Sequence, residues 1–185
     1  MAEVAARATP EEIRQRAIEQ EPHHRRLFES ADDGRRLSDL MRPMFALGTP
    51  PGHGVLTTRG RKSGLPREKV IRAVRRGDTA FLVMLRPPAL AKERPEAVAA
   101  WIHNIRANPQ VTLRLGRRKF AGTAREIVDD TQLELARTAL CETVHAVDYG
   151  ECLLHLKGMP TTAKIRDMHR YWFETGIPVA VDLDT

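Results

Sequence analysis

The sequence is short of the residues that mark several protein classes. It holds two cysteines in 185 residues, Cys141 and Cys152. That is too few for a disulfide scaffold, so a reducing, cytoplasmic setting is expected. The longest strongly apolar run, residues 80–85, falls far below the ~20 residues of a membrane-spanning helix, so no transmembrane segment is expected. The opening MAEVAARATPEE lacks the apolar stretch of a secretory signal. Aromatic residues make up 5% of the chain, and the basic middle carries only Phe81, Trp101 and Phe120. Base-stacking surfaces need more, so no specific nucleic-acid partner is expected. No Walker loop and no GxSxG elbow occur. Internal repeats and low-complexity segments are absent.

What is present suffices for one compact domain: 42% of the residues are hydrophobic. Charge is the unusual property. Thirty Lys and Arg against 24 Asp and Glu give a net +6, with a pI near 9.8. Arg supplies 24 of the 30 cations, a bias that a codon-skewed genome also produces. Position matters more than the total. Residues 57–119 hold 16 basic and 4 acidic residues, whereas the remainder is net acidic. A basic segment of this size calls for an anionic partner.

The patterning predicts helices at both ends and strands between. Thr9, Pro10 and Glu12 form a capping-box start for a helix to about residue 20. A second helix to about residue 30, a break at 31–34 and a third helix over 35–46, kinked at Pro43, follow. Strands are expected at 54–58, 67–75 and 79–85, the last an all-apolar central strand. Residues 86–94 read as a loop. Pro95 opens a helix whose Val98, Trp101, Ile102 and Ile105 form one stripe, stopped by Asn108-Pro109. Strands at 111–115 and 119–128, helices at 130–147 and 161–175, and a last strand at 177–183 complete the chain. Strands joined by tight turns are antiparallel. The expected fold is α+β, a small barrel of about six mostly antiparallel strands. One domain over 1–185 is expected, with a helical extension (1–48), a core barrel carrying the ligand site (53–128), and helices with a closing strand (129–185).

Three groups of residues could carry chemistry. LTTRGRKSGLPR, residues 56–67, delivers a glycine-flanked loop with Arg61, Lys62 and Ser63, and Arg67 at the next strand. Glycines allow close approach to the backbone, and Arg offers a bidentate fork to phosphate or carboxylate. A solvated basic hairpin loop is the plain alternative. The second group is Trp101-Ile102-His103-Asn104. Trp101 on its stripe reads first as core, while His103 and Asn104 lie off it. The third is Cys141, His145, Cys152 and His155. It lacks a CxxC knuckle, and Cys141 lies beside Leu140 and Val144 on an amphipathic helix. A buried core cysteine is the stronger reading, and no metal is expected.

The loop and the helix together resemble a known family. Residues 56–67 are similar to an LTTxGRKSGxPR loop, and Ala100 to Pro109 (AWIHNIRANP) to a WxxNLxANP segment. Both belong to the deazaflavin-dependent nitroreductases, also described as F420H2-dependent quinone reductases, which have a split β-barrel of the FMN-binding type. The resemblance covers residues 54–128 and the closing GIPVAV. It implies coenzyme F420, a hydride-carrying deazaflavin with a phosphate and an oligoglutamate tail. Arg61, Lys62, Ser63 and Arg67 would hold the phosphate end, with Lys69 following. Leu82, Val83, Met84 and Leu85 would lie along the ring, and Ala100, Trp101, Ile102, His103 and Asn104 would line the pocket. The function implied is hydride transfer to a small apolar acceptor such as a quinone, enone or nitro compound.

The sequence departs from that family after the central strand. LRPPAL at 85–90 lacks the family's serine, and Lys69-Val70 replaces a proline in the second strand. The substrate-side tyrosines have no clear counterpart, and residues 141–160 look inserted. Tyr149, His169 and Tyr171 are the acceptor-side candidates. The alternatives are an FMN-binding split-barrel oxidoreductase and a non-enzymatic basic module for anionic ligands. A homodimer is open to either enzyme, because exposed strand edges pair.

Overall fold

The structure, a computed structural model, describes residues 7–26 and 31–184. Its centre is a closed six-stranded antiparallel barrel of β1 (His53–Arg59), β2 (Pro66–Arg76), β3 (Thr79–Met84), β4 (Gln110–Leu115), β5 (Arg118–Glu126) and β6 (Ile177–Leu183). The order around the barrel is β1-β2-β3-β6-β5-β4, with β4 pairing back onto β1. The fold is the expected α+β split barrel.

The run 79–85 is apolar throughout because β3 is covered on both faces. Ala80, Leu82 and Met84 face the barrel interior, while Phe81 and Val83 join a second core outside it. Fully burying an aliphatic side chain contributes roughly 1.5–3 kcal/mol, so the enclosed Leu56, Leu82 and Leu113 anchor this layer. One end of the interior is filled by α4 (Ala100–Ala107), which inserts Trp101, Ile102 and Ile105. The amide of Ala99, at the helix start, donates to Met84 Sδ at 3.1 Å.

β2 and β3 pair only from Ala73↔Leu82 to Arg76↔Thr79. Beyond that point the N-terminal part of β2 pairs with β1, and Val83 and Met84 pair with β6. The two strands therefore part at the end of the barrel that carries the 59–66 connection.

The helices cover the outside. α1 (Pro10–Gln20) starts at the expected capping box: the Thr9 amide donates to Glu12 Oε2 at 2.7 Å, and the Glu12 amide to Thr9 Oγ1 at 3.3 Å. Residues 86–94 are not a loop. They contain α3 (Pro88–Glu93), with Pro88 at the first helical position and Ala91 packed on Ile13 and Ala17 of α1. The helix expected from Pro95 begins at Ala100.

The expected break at 31–34 lies inside α2 (Ala31–Met41). α2 is held on β2, where Ser38 Oγ donates to Val70 O at 3.5 Å. α2 stops before Pro43, which cannot continue a helix, rather than bending through it. Of the helix expected up to residue 30, a 3-10 turn (Glu21–His23) forms, and residues 27–30 lie outside the described residues. His24 then pairs in a short bridge with Leu156.

The helix expected over 130–147 is divided. α5 (Asp130–Arg137) runs into a π turn (Thr138–Glu142), and a new helix, α6 (Ala146–His155), follows. A π turn leaves carbonyls without helical partners. Arg72 of β2 takes them. Its guanidinium donates to Leu140 O at 3.1 and 3.3 Å, to Thr143 O at 2.8 Å and to Asp148 Oδ1 at 2.7 Å. Both members of the Arg72–Asp148 pair are buried. α7 (Thr162–Thr175) packs beside α6 through Cys152, Ile165, Met168 and Trp172.

Arg72→Ala strands a buried carboxylate and three carbonyl contacts, and is expected to cost about 3–5 kcal/mol in urea unfolding. Arg72→Lys should not restore that stability, because an ammonium lacks the planar fork. Stability should also fall in acid through His24. Burial holds its folded pKa down at about 4, against 6.5 for the free group. The unfolded chain thus binds more protons between these values. Stability is complete above pH 6.5 and falls by about 1.4 kcal/mol per pH unit toward pH 4. His24→Gln should flatten that slope.

Candidate functional site

The β1–β2 connection is shaped by its glycines. The Gly64 amide donates to Gly60 O at 2.7 Å, and the Gly60 amide to Leu65 O at 2.9 Å. A Cβ on Gly60 would lie 2.8 Å from Ser63 Oγ, and Gly64 has φ +68°, where L side chains are strained. The turn exposes Arg61, Lys62, Ser63 and Arg67 to solvent. Ser63 Oγ accepts from the Leu65 amide at 3.3 Å and from Arg67 Nη2 at 3.5 Å.

Asn104 fixes this loop to α4. Its Oδ1 accepts from the Arg61 amide at 3.1 Å, and its Nδ2 donates to Thr58 Oγ1 at 3.0 Å. Asn104 is buried and both ends of its amide are engaged. It therefore positions the loop.

The cations of this loop differ from most others in the chain. Arg106, Arg125, Arg170 and Lys92 each meet a carboxylate within 2.5–2.8 Å. Among the described residues no carboxylate forms an ion pair with Arg59, Arg61, Lys62 or Arg67. The basic middle is also not one surface. Gly54 pairs with Leu115 at one end of β1, and Arg59 pairs with Pro66 at the other. The Arg117-Arg118-Lys119 turn thus lies at the barrel end opposite the Arg61-Lys62 loop. There Arg75 and Arg118 both stack on Phe120, 4.7 and 5.1 Å from its centroid.

The other predicted site residues are distributed unevenly. Leu82, Val83 and Met84 are buried in the two cores, and Leu85 is half-buried at the parting of β2 and β3. Trp101 and Ile102 belong to the barrel core, Ala100 is exposed and His103 half-buried. Lys69 sits beneath α2. Burial lowers its pKa and Asp39 opposes that shift.

The acceptor-side candidates occupy three environments. Tyr149 is exposed and its hydroxyl lies 2.9 Å from Thr162 Oγ1. Tyr171 is buried and donates to Arg86 O at 3.1 Å, and burial raises its pKa. His169 is buried in the helical layer, where burial lowers its pKa to about 3. A cleft of about 270 Å³ between α1 and α7 is lined by Arg16, Glu19, Asp167, Arg170 and Glu174. It lies away from the loop and carries both signs of charge.

Sequence reading missed the polar cluster between β1, β2, α6 and α7: Arg72, His53, Asp148, Glu151 and His169. The signals were an arginine inside an alternating strand and two carboxylates three residues apart on one helix. Cys141 and Cys152 are free and lie in separate apolar cores, and burial raises the Cys141 thiol to about 12.

Residues 45–152, more than half of the chain, match the family described as F420H(2)-dependent quinone reductase. The chain belongs to that family. The matched span includes the 59–66 loop, α4 and all strands but β6. F420-dependent oxidoreduction is thus the chemistry of its family. No curated protein matches the chain.

Similar solved structures include an F420-H2 dependent reductase at 20% identity, covering 72% of this chain and 94% of that one, with TM-score 0.39. A conserved hypothetical protein of Mycobacterium tuberculosis is 15% identical over 80% of this chain and 81% of its own, with TM-score 0.47. A pyridoxamine 5'-phosphate oxidase-like protein of Listeria innocua is 13% identical over 80% and 94%, with TM-score 0.41. Among the described residues no helix is long and apolar enough to cross a membrane.

If Asn104 holds the loop, Asn104→Ala should free the Arg61 amide. Hydrogen exchange at that amide should accelerate, and stability should fall by about 1–3 kcal/mol for two lost hydrogen bonds. Unchanged exchange would show that the loop holds itself.

Proposed function

We propose that this protein transfers hydride from reduced F420 to a small apolar acceptor such as a quinone, enone or nitro compound. The observation that carries the reading is the exposed, carboxylate-free group of Arg61, Lys62 and Arg67 on a loop rigidly tied to α4, inside the family-matched segment. Its donor chemistry fits a phosphate with a carboxylate tail: two guanidiniums, an ammonium and a hydroxyl. Arg61, Lys62, Ser63 and Arg67 bind the tail, and Asn104 keeps them in place. The parting of β2 and β3, flanked by Lys69 and Leu85, is the place for the ring. Bound F420H2 supplies the hydride. The chain's own part is to bind, to orient and to keep water from an apolar acceptor.

The separation of the Arg61-Lys62 loop and the Arg117-Arg118-Lys119 turn to opposite barrel ends supports a short anionic ligand over a polyanion lying along one basic face. Titration with F420, followed by its fluorescence, tests the reading. Arg61→Ala and Lys62→Ala should each weaken binding by about 1.5–3 kcal/mol, at least tenfold in Kd, while turnover with a quinone at saturating cofactor is retained. Absence of binding at micromolar F420 would sink it. Tight binding of FMN in its place would favour the flavin alternative.

A further inference from the structure

Between the barrel and the helical layer, α6 and α7 converge on β1 through groups that the hydride-transfer reading does not use. Asp148 and Glu151 lie three residues apart on α6, so they share a face. His169 comes from α7. One donor atom of each of these three residues lies within 4.8 Å of the others. His53 of β1 borders the group, with Nε2 3.7 Å from Glu151 Oε2.

The hydrogen bonding here is incomplete. His169 is 2% exposed, yet neither ring nitrogen has a partner. His53 is 5% exposed and its Nδ1 is unpartnered, as is Glu151 Oε2. Buried polar atoms without partners are costly, and so many in one place point to a missing partner.

We propose that Asp148, Glu151 and His169, bordered by His53, bind a divalent first-row transition metal ion of the zinc type. The donor set, imidazole nitrogens with carboxylate oxygens, is of the kind such ions take. Charge argues the same way. Arg72 neutralises one of the two carboxylates, leaving Glu151 without a fixed cation. Asp148 keeps lone pairs for a metal beyond its bonds to Arg72 and to the His145 amide at 2.7 Å. Arg72 then orients a ligand carboxylate from outside the coordination shell. Held there, the ion would join α6 and α7 beside β1 as a structural staple. This inference stands independently of F420.

The test uses the full untagged chain, stripped with a chelator and dialysed against Zn2+. One zinc per chain by mass spectrometry and a raised melting temperature are expected. Glu151→Gln and His169→Gln, shown folded by circular dichroism, should each weaken Zn2+ binding by about tenfold or more. Co2+ substitution gives an independent readout. Its spectrum should lack a thiolate charge-transfer band and be unchanged in Cys141→Ala/Cys152→Ala, and it decides the question if a Glu151 or His169 variant does not fold. No stoichiometric binding by the folded chain, unchanged affinity in folded Glu151→Gln, or a thiolate band would each overturn the proposal.

Discussion

The architecture turns on one buried guanidinium. Arg72 leaves the outer face of β2 and ends among the carbonyls of the π turn and the carboxylate of Asp148. It adds four directional hydrogen bonds where a barrel strand and the helical layer meet. The planar fork fixes where the π turn stops and where α6 begins. The positions of Asp148 and Glu151 depend on it, and so does the polar pocket they form with His169. Burying a charge in this way is costly unless every donor is used, which makes the arrangement specific rather than merely stable.

A second, smaller clamp does similar work at the other end of β1. Asn104 is buried, yet its amide joins Thr58 to the Arg61 backbone. It makes a rigid platform of a glycine-turned loop whose side chains are all in water. Rigidity matters because exposed cations bind weakly when the chain must be ordered at the same time. Positioning by a buried residue and contact by exposed ones are thus divided between α4 and the loop. The WxxN pattern supplies both plug and clamp: Trp101 and Ile102 fill the barrel while Asn104 reaches out to the loop.

Much of the fold was legible because it rests on local patterns. The capping box at Thr9, the alternation of β4 and the doubly buried β3 each follow from neighbouring residues. The errors came where distant contacts decided. Residues 86–94 form α3 because Ala91 finds Ile13 and Ala17, far away in sequence. The helix expected to run to residue 147 breaks because Arg72, some seventy residues earlier, takes its carbonyls. Trp101, Leu82 and Met84, which the resemblance places along a ligand pocket, belong to the barrel core.

The sequence alone determined the strand and helix inventory of the barrel, the glycine-flanked cationic loop and the family, since these depend on short-range periodicity and contiguous motifs. Only the tertiary structure decided which charges are free. The excess of cations in residues 57–119 looked like one basic surface. In the folded chain Arg72, Arg75, Lys92 and Arg106 meet carboxylates, and the loop cations 59–67 and the turn cations 117–119 separate to opposite ends of a barrel. Charge counted along a chain carries no information about pairing, because partners such as Arg72 and Asp148 or Arg106 and Glu126 meet only when strands and helices pack.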